Sequence, residues 1–269
     1  MTDSPRAFGW RKPAPEVYGR LRLAGPRASG LLAGVEPADS ADCTELVQIL
    51  DQGQLGSCTA NAIAQMVRAE MLHTGAPATT EFLSRLWAYT LALAAEGNLG
   101  KDTGTHLATV MDELASYGFP KESTWPYDLT TFGQRPSPEC HRAAHDQRAQ
   151  KAVAYHQISE EGDARLTIIR QALTAGKLVV FGTQVDPAAI NVYQAGSVLD
   201  VPALGTDTEG HAMCVVGYEA DGRFKVANSW GPDFGDRGFL WMPANYLKWD
   251  ETDDLWMVSQ VPRFSEDAT

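Results

Sequence analysis

With 269 residues, 44% hydrophobic and 21% charged, the chain has the composition of a globular protein and the length for a substantial core spread over two lobes. A formal charge of −12 argues against a nucleic-acid partner, which would want a basic face. No run approaches the ~20 apolar residues that span a membrane, and MTDSPRAFGWRKPAPE lacks the apolar stretch of a secretory signal, so no membrane partner is expected and the expected compartment is cytoplasmic.

Residues 1–40 are rich in Pro, Gly, Ala and Arg without sustained periodicity, and read as an extended N-terminal arm over the surface. From Cys58 to about His73, Ile63, Met66, Val67 and Met71 recur at helical spacing, with Ser57 as N-cap candidate and Gly75 as stop. A second helix is predicted from about Ser84 to Ala95, and a third from near Thr105 to the stop at Gly118. The second half changes period. One helix, roughly 164–175, precedes the β-rich run Leu178–Val185. The runs His211–Tyr218 and Arg223–Asn228 flank Asp221-Gly222, a hairpin signal, and Gly238–Met242 reads as a further strand. The expected fold class is therefore α+β. A mainly helical lobe (41–155) precedes a mainly antiparallel β lobe (156–262), with a tail at 263–269 and a cleft between the lobes.

The chemistry concentrates in three segments. DQGQLGSCT puts Cys58 at a predicted helix start, where a thiol ionises more easily, with Gln52 six residues earlier. Far downstream lie His211 in GHAMCVVGY and Asn228 in ANSWG. Cys, His and Asn assembled in space supply a nucleophile, a base and an orienter. The other cysteines, Cys43, Cys140 and Cys214, read as small buried hydrophobes, because four cysteines in this length do not make a disulfide scaffold. His73, His106, His141, His145 and His156 read as surface or packing residues without zinc-ligand spacing. The Asp253-Asp254 pair reads as a solvated turn, and Trp125–Tyr127 as packing between lobes.

QGQLGSCTAN, GHAMCVVGY and ANSWGPDFGDRGF resemble the three signature regions of papain-like cysteine peptidases, of a bacterial type without a recognisable inhibitory pro-domain. The resemblance spans roughly residues 45–260. It implies a papain-like fold with a β-barrel-like second lobe, peptide or protein substrates, and no metal or organic cofactor. Position by position, it implies that Cys58 is the nucleophile, His211 the base and later the acid, and Asn228 the orienter of the imidazole. Gln52, with the Cys58 backbone N–H, would form the oxyanion hole. Trp230 would cover the His–Asn hydrogen bond, and Gly104 and Gly210 would meet the substrate backbone. Glu209, by adjacency alone, is a candidate acid at the cleft edge. Two residues depart from the family motif: Leu55 stands for its first cysteine, removing the usual bridge beside the nucleophile, and Thr59 for its aromatic. The same acyl-enzyme would also serve an acyltransferase or transpeptidase, and an inactive peptide-binding module is the reading outside enzymes. A last expectation is that residues 1–40 restrain the enzyme by covering part of the cleft.

Overall fold

Apolar residues at helical spacing account for the helices that build the first half. A computed structural model describes residues 6–14, 27–150 and 153–264. After a short helix α1 (Ala28–Leu31) and a two-residue strand β1 (Ala41–Asp42) comes α2 (Cys58–His73), followed by α3 (Arg85–Ala95) and α4 (Leu107–Tyr117). The Ser84 hydroxyl accepts from Trp87 N and caps α3, whereas Gly118, at φ +73°, ends α4. Ser57 does not cap α2 as expected, because its hydroxyl is bonded to the Tyr127 hydroxyl instead. Helix α2 is buried from Cys58 through Met71, so it forms the spine between α3, α4 and the sheet.

The second half is antiparallel, as the hairpin signals imply. It runs through α5 (Pro138–Gln150), β2 (Ala154–Ile158), α6 (Gly162–Thr174), β3 (Val179–Val185), α7 (Pro187–Asn191), β4 (Glu209–Tyr218), β5 (Arg223–Ala227), β6 (Phe239–Pro243), α8 (Ala244–Lys248) and β7 (Thr252–Gln260). The sheet order is β2-β7-β3-β4-β5-β6, with β1 added to β4. Helix α2 lies across β3, β4 and β7 on one side, and α6 packs on β3 and β4. The α+β architecture is the expected one. Helix α5 and strands β2 and β7 carried no prediction.

Two expectations are corrected. Asp253-Asp254 is not a solvated turn: both residues lie in β7, and Asp254 is fully buried. Nor does the whole described arm lie over the surface, although residues 27–40 are mostly exposed. Residues 6–14 enter the groove between α2 and β4, and Trp10 is buried. Residues 1–5, 15–26 and the end of the tail, 265–269, lie outside the described residues. Among the described residues, no helix is long and apolar enough to cross a membrane.

Candidate active site

Cys58 opens α2 at the bottom of the groove, while His211 sits near the start of β4, opposite Thr183 of β3. Asn228 follows β5 directly, its N–H bonded to the Gly238 carbonyl. All three are buried, as is Gln52. His211 Nε2 donates to Asn228 Oδ1 at 2.8 Å, and the Ser229 N–H donates to the same oxygen at 2.8 Å. The second bond fixes which end of the Asn228 amide accepts, and so places the neutral imidazole proton on Nε2. Nδ1 is then the basic nitrogen, and among the described residues it has no hydrogen-bond partner. Trp230 packs beside the imidazole, ring centres 4.9 Å apart.

Gln52 is locked by the same segment. Its backbone N–H donates to the Ser229 carbonyl, and its Oε1 accepts from the Ser229 hydroxyl at 2.6 Å. This leaves Nε2 as the end facing the groove, where it donates to the carbonyls of Leu55 (3.0 Å) and Ala7 (3.1 Å). Beside the nucleophile, a polar network takes up the position where the motif lacks its cysteine. The Asp102 carboxylate accepts the Gly56 N–H (3.0 Å) and the Tyr89 hydroxyl (2.6 Å), and that hydroxyl accepts the Gly104 N–H (3.1 Å). Thr59, at the motif's aromatic position, shares a 2.6 Å hydrogen bond with Thr105. On the other flank, the Tyr127 hydroxyl joins the Ser57 hydroxyl and the Gln52 carbonyl. Trp125–Tyr127 thus does more than pack. Both loops that carry donors are held by side chains far away in sequence.

The groove is occupied by the chain's own arm. Gly9 N and Trp10 N donate to the Gly210 carbonyl (3.1 and 3.0 Å), Thr105 N donates to the Gly9 carbonyl (2.8 Å), and Arg11 N donates to the Thr105 carbonyl (3.1 Å). The ladder to the arm therefore falls on Gly210 and Thr105. Gly104, expected to pair with a bound peptide, gives the arm clearance: a Cβ there would stand 2.0 Å from Gly9 O. Phe8 meets His211 and Trp230 edge-on, at 5.6 and 5.4 Å. Glu209 is exposed at the start of β4.

Burial under the arm sets the protonation states. The Cys58 thiol is pushed up to about 12 by burial, against the pull of the N–H groups of Ala212, Gly9, Thr59 and Trp10. His211 is pushed down to about 4 by burial, against its bond to Asn228. Near neutral pH the Cys58 thiol and the His211 imidazole are thus both neutral. Cys43, Cys140 and Cys214 are also free and buried. Among the described residues, no group of three or more His, Cys, Asp or Glu is placed to hold a metal ion.

Asp254, Tyr89, Asp102 and Trp10 escaped the sequence reading. The available signals were weak: an acid leading into the apolar run LWMV, and the aromatic pair of FGW within a Pro- and Arg-rich arm.

Residues 36–251 match the family described as papain family cysteine protease. The chain is 34% identical over 222 residues to an uncharacterized peptidase C1-like protein of Acanthamoeba polyphaga mimivirus, covering 79% of this chain and 70% of that protein. Cysteine proteinase 2 of Entamoeba histolytica is 27% identical over 201 residues; the match covers 73% of this chain and 59% of that protein's length. Among solved structures, xylellain, a cysteine protease from Xylella fastidiosa, superposes with a TM-score of 0.77 at 25% identity, covering 96% of this chain and 97% of that one. A procathepsin B from Trypanosoma congolense shares the fold, with a TM-score of 0.65 at 17% identity over 96% of this chain and 87% of that one.

Proposed function

The chain belongs to the papain family of cysteine proteases, and from that premise we propose that it hydrolyses peptide bonds through Cys58, His211, Asn228 and Gln52, with the arm as its own reversible cover. The single observation that carries the chemistry is the Asn228 amide, oriented by the Ser229 N–H so that Nδ1 of His211 is left as the free base. With the groove open to solvent, proton transfer from the thiol to Nδ1 gives a thiolate–imidazolium pair. The thiolate attacks the peptide carbonyl carbon, and the carbonyl π electrons move to oxygen. Gln52 Nε2 and the Cys58 N–H then donate to that oxyanion. As the C–N bond breaks, the imidazolium gives its proton to the leaving amine, and a thioester remains on Cys58. Water attacks the thioester and loses a proton to His211, which releases the acid and restores the thiol.

The cover follows from direction as much as from contact. His211 must stand beside the leaving amine, so the Phe8 end of the arm occupies the leaving-group side and Trp10 the acyl side. A substrate enters with its acyl part earlier in its chain, whereas the arm runs the opposite way. In that reversed direction, and with the Ala7 carbonyl on Gln52 Nε2, the arm blocks the groove without presenting a bond for cleavage. Deleting residues 1–40 should raise turnover; a folded enzyme with unchanged activity would remove the cover from the account.

Intact mass spectrometry of the chain with a peptide ester tests the chemistry. An acyl adduct on Cys58 that decays to free acid, even with a competing amine present, is expected. Quantitative transfer to the amine would instead make the chain an acyltransferase. Gln52→Ala should lower kcat by about 10²–10³-fold, as removal of one oxyanion donor does elsewhere.

A further inference from the structure

Arg85 is an odd residue to open a helix. It is the first residue of α3, where the macrodipole disfavours a cation, and no acid follows it in the first turn. What the guanidinium reaches accounts for its place. Nε and Nη2 donate to one oxygen of Glu122 (3.0 and 2.7 Å), whose other oxygen accepts the Arg85 N–H (3.0 Å). Its central carbon stands 3.9 Å from the centre of the Tyr127 ring. Clamped on those two sides, the fork turns Nη1 toward α2 and the loop before it. There it donates to the Asn61 side-chain oxygen (2.9 Å) and to the Asp51 carbonyl (3.2 Å).

Each of these contacts ends one step from an oxyanion donor. Asn61 is wholly buried. With its Oδ1 taken by Arg85, its Nδ2 faces the Ser57 carbonyl (3.0 Å) and hydroxyl (3.1 Å). The same carbonyl also accepts the Asn61 backbone N–H (3.1 Å), so both of its lone pairs are engaged. That carbonyl shares one planar peptide unit with the Cys58 N–H, so holding one end of the plane aims the other. At Gln52 the peptide planes on both sides are held. Arg85 takes the Asp51 carbonyl before it, and the Tyr127 hydroxyl donates to its own carbonyl (3.0 Å).

We infer that Arg85 is the positioning residue of the oxyanion hole. Through Asn61 it aims the Cys58 N–H, and through Asp51 and the Tyr127 ring it fixes the backbone that carries Gln52. The role presupposes the Cys58 peptidase assignment. It requires a planar fork with divergent donors; a lysine ammonium could meet Glu122 but could not also keep the Asn61 amide turned. A plain ion pair between α3 and Glu122 would use only the Nε and Nη2 side of the fork. The Nη1 side has no part in that pairing.

The full-length Gly9→Ala chain serves as parent, because a Cβ at Gly9 would stand 1.8 Å from Gly56 O and expel the arm. Two reactions of Cys58 separate positioning from general damage. Acylation by a peptide ester passes through an oxyanion. In alkylation by iodoacetamide the thiolate attacks the methylene carbon and iodide leaves, so no oxyanion forms. Added to the parent, Arg85→Lys should lower kcat for the ester by about 10- to 100-fold, the cost of roughly an ångström of misplacement, with KM little changed. Inhibition by a peptide aldehyde, whose adduct oxygen needs the same donors, should weaken by the same factor, while alkylation keeps the parent rate. Asn61→Leu, of similar shape, leaves the Glu122 clamp in place and should give the same split even where Arg85→Lys fails to fold. Equal loss of turnover and alkylation, or unchanged turnover in either variant, would overturn the role of Arg85 and leave the peptidase assignment standing. A parent that is alkylated yet never turns over the ester would sink the peptidase assignment, and Arg85 with it.

Discussion

Ser229 connects most of the residue-scale chemistry: its N–H orients Asn228, its hydroxyl fixes the Gln52 amide, and its carbonyl receives the Gln52 N–H. None of that is visible in NSWG as a string, which offers only Asn228 as a candidate. The opposite failure is Asp254. Asp253-Asp254 looks like a turn, because neither the bulge that carries Asp254 in β7 nor its left-handed φ of +58° leaves a mark in hydrophobic periodicity. At this scale the testable quantity is the Cys58 proton. Its pKa under the arm is pushed up to about 12 by burial. Covering is therefore opposed once pH exceeds the lower pKa of the open-groove thiol, and increasingly so up to about 12. Thiolate ultraviolet absorbance, taken as the difference from Cys58→Ala, should be absent at neutral pH in the wild-type chain. In Gly9→Ala it should appear, because a Cβ at Gly9 would stand 1.8 Å from Gly56 O and force the arm out. Thiolate at neutral pH in the covered wild-type chain would contradict this.

Elements with a clean period were legible. Helices α2, α3 and α4 sit where apolar spacing and stop glycines put them, and β3 through β6 follow the β-rich runs and the Asp221-Gly222 turn. Helix α5 was missed because PECHRAAHDQRAQ buries only Cys140, Ala144 and Gln147, too few apolar positions for a stripe. Strand β7 was missed because its centre is buried in a run, Asp254 through Val258, without alternation. The join between elements was the least legible, since the stiffening of the nucleophile loop comes from Tyr89 on α3 and from Asp102 beyond it. Tyr89→Phe removes the hydroxyl that bridges Asp102 and the buried Gly104 N–H. It should cost about 1–3 kcal/mol in denaturant unfolding, with a lower kcat. A change within about 0.5 kcal/mol, the range of an ordinary surface substitution, would show that the bridge holds nothing.

The molecule as a whole is an enzyme fold with a length of its own chain in the groove. Composition marked residues 1–40 as an arm, but pairing with Gly210 and Thr105 depends on a groove that exists only once α2 and β4 have met. The fold thus creates the site and the cover together, and burial under that cover keeps the thiol and the imidazole neutral. The most direct test is peptide turnover by the full-length Gly9→Ala chain, compared with the wild type and with Gly9→Ala carrying Cys58→Ala. Displacing the cover should raise turnover by about tenfold or more, the effect of some 1.4 kcal/mol of lost arm docking, and Cys58→Ala should abolish it. Turnover that survives Cys58→Ala, or a wild-type chain already as fast as Gly9→Ala, would contradict the account.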